Sequence, residues 1–169
     1  MALTSSVRLA LQGVQQNTVD LGTSQARRTV ELAVSLAAGT GAGQADLVFA
    51  DTRTLAASGT EDLDLAGALA DAFGVAQVFA RVKAIAVKAA SGNTNNVQVT
   101  RPASNGLVLF MAAGDGIALR PGMMFATAAG SADATGIAVT AGTGDLLTIT
   151  NSAGSTTVTY DIVIIGCSA

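Results

Sequence analysis

The chain of 169 residues has no histidine, no tryptophan and a single cysteine, Cys167. Proline occurs twice, and Asp, Glu, Lys and Arg together make up only 12% of residues, about half the usual ~25%. Each shortage excludes something. Without histidine, Ser-His-Asp and Cys-His nucleophilic arrangements cannot be built. One cysteine and no histidine remove the ordinary zinc sites and any intrachain disulfide, so redox compartment is not readable. A chain with so few charges is poorly equipped to keep a monomer's whole surface in water. Both deficits point to a structural subunit that covers part of its outside with other protein.

What is present is small and apolar. Half the residues are hydrophobic, with 34 alanines and 19 glycines, against five Phe and one Tyr. Such side chains bury little area each, at ~25 cal/mol per Å². A core can form, but backbone ladders and subunit contacts are expected to carry a larger share than usual. Net charge is −3. The nine basic residues are scattered, with Arg27-Arg28 the only adjacent pair, and no aromatics interleave with them. Nucleic-acid binding therefore has no electrostatic footprint. The opening MALTSSVRLALQGVQQ has one Arg and a short apolar stretch broken by Gln, so it does not read as a signal peptide. No unbroken apolar window reaches the ~18 residues of a membrane span.

The dominant periodicity is two. In TVELAVSLA, Val30, Leu32, Val34 and Leu36 share a face; Leu63 and Leu65 alternate with Asp62 and Asp64. Val97 and Val99 alternate with Gln98 and Thr100, and Val158, Tyr160, Ile162 and Ile164 lie opposite Thr157, Thr159 and Asp161. These predict half-buried antiparallel strands. Further strands are expected at 45–52, 81–90, 117–120, 123–128, 136–140 and 145–150. The run GLVLFMAA (106–113) is apolar on both faces and reads as a strand covered on both sides. Turn signals such as Asn105-Gly106 and Pro121-Gly122 separate them. Eight to ten short strands predict an all-β, antiparallel β-sandwich or barrel.

One helix is expected, over AGALADAFG (66–74), where Leu69 and Phe73 stand at i, i+4 and Gly74 offers a C-cap. Residues 1–28 are polar and Gln-rich, with only Val7, Leu9 and Leu11 alternating. They read either as an arm ordered by packing on a neighbour or as a first strand plus loop. We divide the chain into an N-terminal arm, 1–28, and a β-sandwich domain, 29–169.

Other chemistry finds little support. Lys83 and Lys88 sit in no recognisable Ser-Lys motif and read as strand-face charges. Asp62-x-Asp64 lacks EF-hand spacing. Gly39-x-Gly41-x-Gly43 lacks the Lys-Ser/Thr of a P-loop and reads as a flexible loop. Paired carboxylates for glycoside hydrolysis would lack aromatic platforms beside them. We expect no enzyme, catalytic residue, cofactor or metal.

Five runs taken together resemble a known group: SGTEDLDLAGALADAFG (58–74), FARVKAIAVKAA (79–90), NTNNVQVTR (93–101), LFMAAGDGIALRPGMMF (109–125) and ATGIAVTAGTGDLLTITNSAGSTTVTYDIVIIG (134–166). Over residues 45–166 they resemble the capsid decoration, or cement, proteins of tailed bacteriophages. The resemblance rests on order and texture, not on a catalytic signature. It implies a jelly-roll-like sandwich assembling as a homotrimer on the capsid surface of the virion. Its partner would be the major capsid protein, with no nucleic acid and no membrane. Within that reading, capsid contact is expected from the arm, at Leu3, Val7, Arg8, Leu9 and Leu11, and from Arg27 and Arg28. Arg53, Arg81 and Arg120 are further candidates for pairing with capsid carboxylates. The rivals are a tail component (tube, baseplate or fibre base) and, in another class, a receptor- or glycan-binding module.

Overall fold

The computed structural model describes residues 3–67 and 69–169. Its strands, in chain order, are β1 (Ser5–Val19), β2 (Gly22–Ala38), β3 (Gln44–Ala45), β4 (Leu47–Leu55), β5 (Thr60–Asp64), β6 (Leu69–Ala70) and β7 (Ala76–Gln77). They continue with β8 (Arg81–Ala89), β9 (Val97–Thr100), β10 (Gly116–Leu119), β11 (Met124–Ala128), β12 (Ile137–Ala138), β13 (Leu146–Asn151) and β14 (Val158–Cys167). No helix occurs among the described residues.

Two antiparallel sheets form the body, with strand orders β10-β9-β13-β5 and β11-β8-β14-β4. They pack face to face in the arrangement of a β-sandwich. Each contributes alternate side chains to one core: Leu63, Val97, Val99, Leu147 and Ile149 from the first, Phe49, Ile85, Val87, Val158, Tyr160, Ile162 and Ile164 from the second. The period-two faces read at Leu63 and Leu65, at Val97 and Val99, and at Val158, Tyr160, Ile162 and Ile164 are therefore buried faces, because a pleated strand sends successive side chains to opposite sides. On β2, by contrast, only Val34 and Leu36 are buried and Val30 is exposed. At the β4/β5 side of the sandwich the core gives way to polar contacts. Arg53 Nη1 donates to Glu61 Oε2 across the two sheets, and the Tyr160 hydroxyl donates to Glu61 Oε1 at 2.6 Å.

A β-bulge interrupts the β8–β14 ladder at Ile165/Gly166. Ala84 pairs with Ile165 and Val82 with Gly166, so Lys83 has no partner opposite it. Expected on a solvated strand face, Lys83 is instead buried. Its Nζ donates to the backbone carbonyls of Ala134 (2.7 Å) and Asp133 (3.2 Å), tying the loop before β12 to the sheet.

Residues 3–28, the described part of the expected arm, run into a hairpin that continues past residue 28. β1 and β2 make one antiparallel hairpin in continuous register, from Ser5↔Leu36 to Val19↔Gly22. The expected boundary between 28 and 29 falls inside β2. Asp20 and Leu21 form the two-residue turn, and Gly22, at φ +135°, takes the conformation that side chains disfavour. At its base the hairpin lays Val34 and Leu36 on a second apolar cluster, with Ala84 of β8 and Ile165 of β14, joined by Leu3, Val7, Leu32, Val48 and Ala128. It thus forms a third layer on the outer face of the β11-β8-β14-β4 sheet.

Two expectations are corrected. The helix over 66–74 is absent: Leu69–Ala70 pairs with Ala76–Gln77 as a short hairpin, Ala68 lying outside the described residues. Asp71 decides this. Its Oδ1 accepts from Phe73 N and Val75 N at 2.9 Å, and such side-chain bonding competes with helical bonding. Nor is 106–113 a strand; only Gly106 makes a bridge, to Leu146. Leu107 is buried while Val108 is 59% exposed, and Arg101 Nη1 donates to the carbonyls of Phe110 (3.2 Å) and Met111 (2.8 Å). The run's hydrophobicity serves a looped lid over one end of the core.

Candidate interaction site

Along the hairpin, paired residues point to the same side. One face runs Val7/Val34, Leu9/Leu32, Leu11/Val30, Gly13/Arg28. Its first members meet the body, and then cover stops: Leu9 and Leu32 are half-buried, whereas Leu11 is 77% and Val30 75% exposed. From Ala10 to Glu31 every residue is exposed, on both faces. Ten residues per strand at ~3.3 Å each give a free two-stranded ribbon ~33 Å long. Such a ribbon is marginally stable by itself in water, and both its edges carry unpaired backbone groups along its length.

The ribbon leaves the body over β11. Leu9, Leu11, Val30 and Leu32 face Met124 and Ala126 across an open cleft of about 540 Å³. Arg8 and Glu31 form an ion pair at 2.9 Å on its rim, and Gln12 Nε2 donates to Thr29 Oγ1 at 3.3 Å.

The sequence-predicted contact residues therefore divide. Leu3 and Val7 pack against the chain's own second cluster, and Leu9 is half-buried beside it. Arg8, Leu11, Arg27 and Arg28 are exposed on the ribbon. Arg27 and Arg28 lie on opposite faces, and the one bond of Arg28 is Nη1 to the Arg27 carbonyl, 3.0 Å. Arg53 is engaged within the chain: it bonds Glu61 and Asp51 and lies 5.8 Å over the Phe49 ring. Burial opposes its charge, but the hydrogen bond and charge of Glu61, helped by Tyr160 and Asp51, outweigh this and raise its pKa. Arg81 donates to the Ala134 carbonyl, while Arg120 is exposed.

A second surface was not anticipated from sequence. An apolar groove of about 310 Å³ runs beside Leu47, Val48 and Ala50 of β4, bounded by Leu3, Phe73 and Val75. Phe73 is 74% and Val75 58% exposed. Both sit on the β6–β7 turn fixed by Asp71, whose Oδ2 also accepts from Gln77 Nε2 at 3.2 Å. A lone Phe in an Ala-rich run looks like a core residue, so sequence gave no signal for an exposed one.

Among the described residues, no three His, Cys, Asp or Glu side chains cluster as metal ligands. Cys167 is buried, and desolvation, the largest influence, pushes its thiol pKa up, away from the reactive thiolate. The arrangement is suited to contact: an exposed apolar-and-basic ribbon at one sheet edge and an apolar groove at the other. No protein-family model matches the sequence, and neither curated proteins nor solved structures give a significant match.

Proposed function

We propose that the chain is a capsid decoration protein. It binds the outside of an icosahedral phage head and stabilises it by clamping neighbouring major capsid subunits. The observation that carries this reading is the free ribbon from Ala10 to Glu31, exposed on both faces. A paired two-stranded projection with Leu11, Val30, Arg27 and Arg28 bare to solvent is a device for reaching another protein. Low charge and small side chains favour close approach, with little side-chain entropy lost on burial. Repeated identical contacts over a shell then add by multivalency.

The strand order supports the same class. Of the nine strands in the two body sheets (β12 pairs with β8), the first, β4, lies beside the last, β14; the second, β5, lies beside the second-to-last, β13. We read this order as a jelly roll, an architecture that serves viral capsid and lectin domains alike. A fold hosts many functions, so the ribbon, not the body, separates these options. A glycan-binding module would be expected to group aromatic rings on its surface, whereas Phe73 is the one strongly exposed ring among the described residues.

The homotrimer and the virion location belong to this proposal. Purified expanded shells incubated with the protein are expected to co-sediment with it and to rupture at a higher temperature. Equal rupture temperatures with and without bound protein reject the clamp role. A tail component is the second reading, favoured by the placement of ribbon and groove at opposite edges of one sheet, which suits a ring. Copy number per particle separates the two: hundreds for a cement protein, few for a fibre.

A further inference from the structure

We propose that two copies of this chain join edge to edge through β1, their ribbons running antiparallel about a two-fold axis at Val14. The contact needs no capsid and goes beyond the decoration role.

β1 is the open edge of the hairpin. It pairs with β2 alone, so along Ser5–Val19 its outer side carries backbone groups with no strand beside them. Proteins block such edges with charge, proline or a bulge. β1 has none of these where it is most exposed: Leu9–Val19 holds no charged residue and no proline, and its register with β2 is continuous. β2 differs. Arg27, Arg28 and Glu31 interrupt its exposed length, and β3 already occupies its outer side at Ala37 and Ala38. A β2 pairing that matched Arg27 with Glu31 would bring Leu21 of the second copy to Ala37, onto β3.

The sequence of β1 selects an antiparallel copy of itself. Alternate residues of a strand send their backbone groups to the same side, so two identical edges pair only with residues of like parity opposite each other. The axis then passes through a residue, not between two. The uncharged stretch is bounded by Arg8 and Asp20, opposite in sign and each six residues from Val14. Centring on Val14 sets Arg8 of one copy against Asp20 of the other, at both ends of the contact. It also sets Leu9 against Val19, Gln12 against Gln16 and Val14 against itself. Centring on Gly13 or Gln15 breaks both charge pairs, and a parallel alignment in register sets like charges side by side. A foreign strand would need the complement of this pattern, whereas β1 is its own complement. Arg8 can serve two carboxylates: its Nε and Nη2 meet Glu31, and Nη1 bonds nothing among the described residues.

The other charges do not oppose the joint. Arg27 lies opposite Val14 on β2. In the joined sheet two β1 strands separate it from its counterpart, three steps of ~4.8 Å, or ~14 Å, beyond the ~8 Å screening length at physiological salt. The antiparallel direction places the two bodies at opposite ends. Leu11 is 77%, Val19 48% and Val14 43% exposed, so pairing covers apolar side chains that a single chain leaves in water. Two marginal ribbons become one four-stranded sheet, in an isologous contact that closes at two copies.

The test is sedimentation and thiol cross-linking of the purified full chain. Val14→Glu sets two carboxylates face to face on the axis. Within its own hairpin the new carboxylate stands opposite Arg27, so circular dichroism and melting temperature should hold. The wild type is expected to associate with rising concentration, and Val14→Glu to weaken that association more than tenfold. Val14→Cys should cross-link to itself through a short bis-maleimide, while Cys167 is buried and stays out of the reaction. Thr18→Cys alone should not cross-link, because its two copies stand about 26 Å apart, eight residues at ~3.3 Å. Mixed with Ala10→Cys it should, since those positions face each other. A wild type monomeric at about 0.1 mM, association that Val14→Glu leaves unchanged, or Val14→Cys that fails to cross-link would each overturn the proposal. Shell rupture is read separately. Paired ribbons without shell protection remove only the cement reading, and shell protection by a chain that does not cross-link at Val14 removes only this one.

Discussion

The Tyr160 hydroxyl donates to Glu61 Oε1 at 2.6 Å, joining the central strand β14 of one sheet to the edge strand β5 of the other. Tyr160 is buried, so its ring packs in the core while its polar end meets a carboxylate that also holds Arg53. Desolvation, followed by the hydrogen bond and charge of Glu61, raises the phenol's pKa well above its ordinary 10. The native state therefore holds this proton at pH values where an unfolded tyrosine would release it. The associated stability is intact below pH ~10 and falls as pH rises above it. Between pH 9 and 11.5, the wild type is expected to lose more unfolding free energy in urea than Tyr160→Phe does. At pH 7 that variant should be less stable by about 1 kcal/mol, the net worth of a hydrogen bond. Parallel pH curves for the two proteins would contradict the assignment.

Asn151 and Asn95 pin the loop before β14. Asn151 Nδ2 donates to the carbonyls of Ala56 (2.9 Å) and Thr156 (2.7 Å), and its Oδ1 accepts from Asn95 Nδ2 at 3.0 Å. Both side chains are buried. Asn151→Ala removes four hydrogen bonds from this buried network, to the Ala56 and Thr156 carbonyls, to Asn95 Nδ2 and to Ala153 N, so it should cost about 2–4 kcal/mol by chemical denaturation. Asn151→Asp should cost as much or more, because a buried carboxylate cannot donate to those carbonyls. A loss under 0.5 kcal/mol for either would show that the network is not structurally important.

These residues also show what the sequence made legible. Val158, Tyr160, Ile162 and Ile164 alternate because one face of β14 is core, so burial writes the period directly into the chain. Between Gln12 and Thr29 the ribbon buries neither face, and no alternation is imposed on it. What pairs it is the turn at Asp20-Leu21 and the permissive Gly22, a signal of three residues. The expected helix at 66–74 failed because its i, i+4 pair split, with Leu69 buried and Phe73 exposed, once the Asp71 carboxylate had captured the local N–H groups. Apolar content at 106–113 reported burial correctly at Leu107 but said nothing of backbone state. The groove combines Leu3, β4 and the Asp71 turn, segments far apart in sequence, so it could not be found before the fold.

Gly166 marks a close approach that any side chain would block. An added Cβ would lie 2.1 Å from the Arg81 carbonyl oxygen and 2.7 Å from Phe79 Cδ1. Neither neighbour is a flexible chain end: one is ladder backbone, the other a buried ring. Gly166→Ala should therefore destabilise by about 3 kcal/mol or more, as overpacking does in a tight interior. Gly114→Ala offers the contrast, since nothing stands within 4 Å of its Cβ and only its φ of +85° resists the change. That variant should cost about 1 kcal/mol. Urea midpoints of the pair, compared at equal m-value, check the order.

The ribbon and the body are expected to be energetically separable. Replacing Gln12–Thr29 by a two-residue turn between Leu11 and Val30 keeps the base of the hairpin, where Val34 and Leu36 pack on Ala84 and Ile165. It removes only residues that are exposed and contribute nothing to either apolar cluster. The shortened chain should melt within about 2 °C of the wild type measured as a monomer, because surface changes away from packed groups stay within about 0.5 kcal/mol. Amide exchange gives the complementary reading. In the isolated monomer, protection should be high at Val97–Thr100 and Val158–Cys167 and low from Gln12 to Thr29, where two solvated strands open locally. On docking to a partner the same amides should slow sharply. If the deletion instead lowered the melting temperature by 10 °C, the ribbon would be part of the body's core stability, and its role as a free reaching element would be lost.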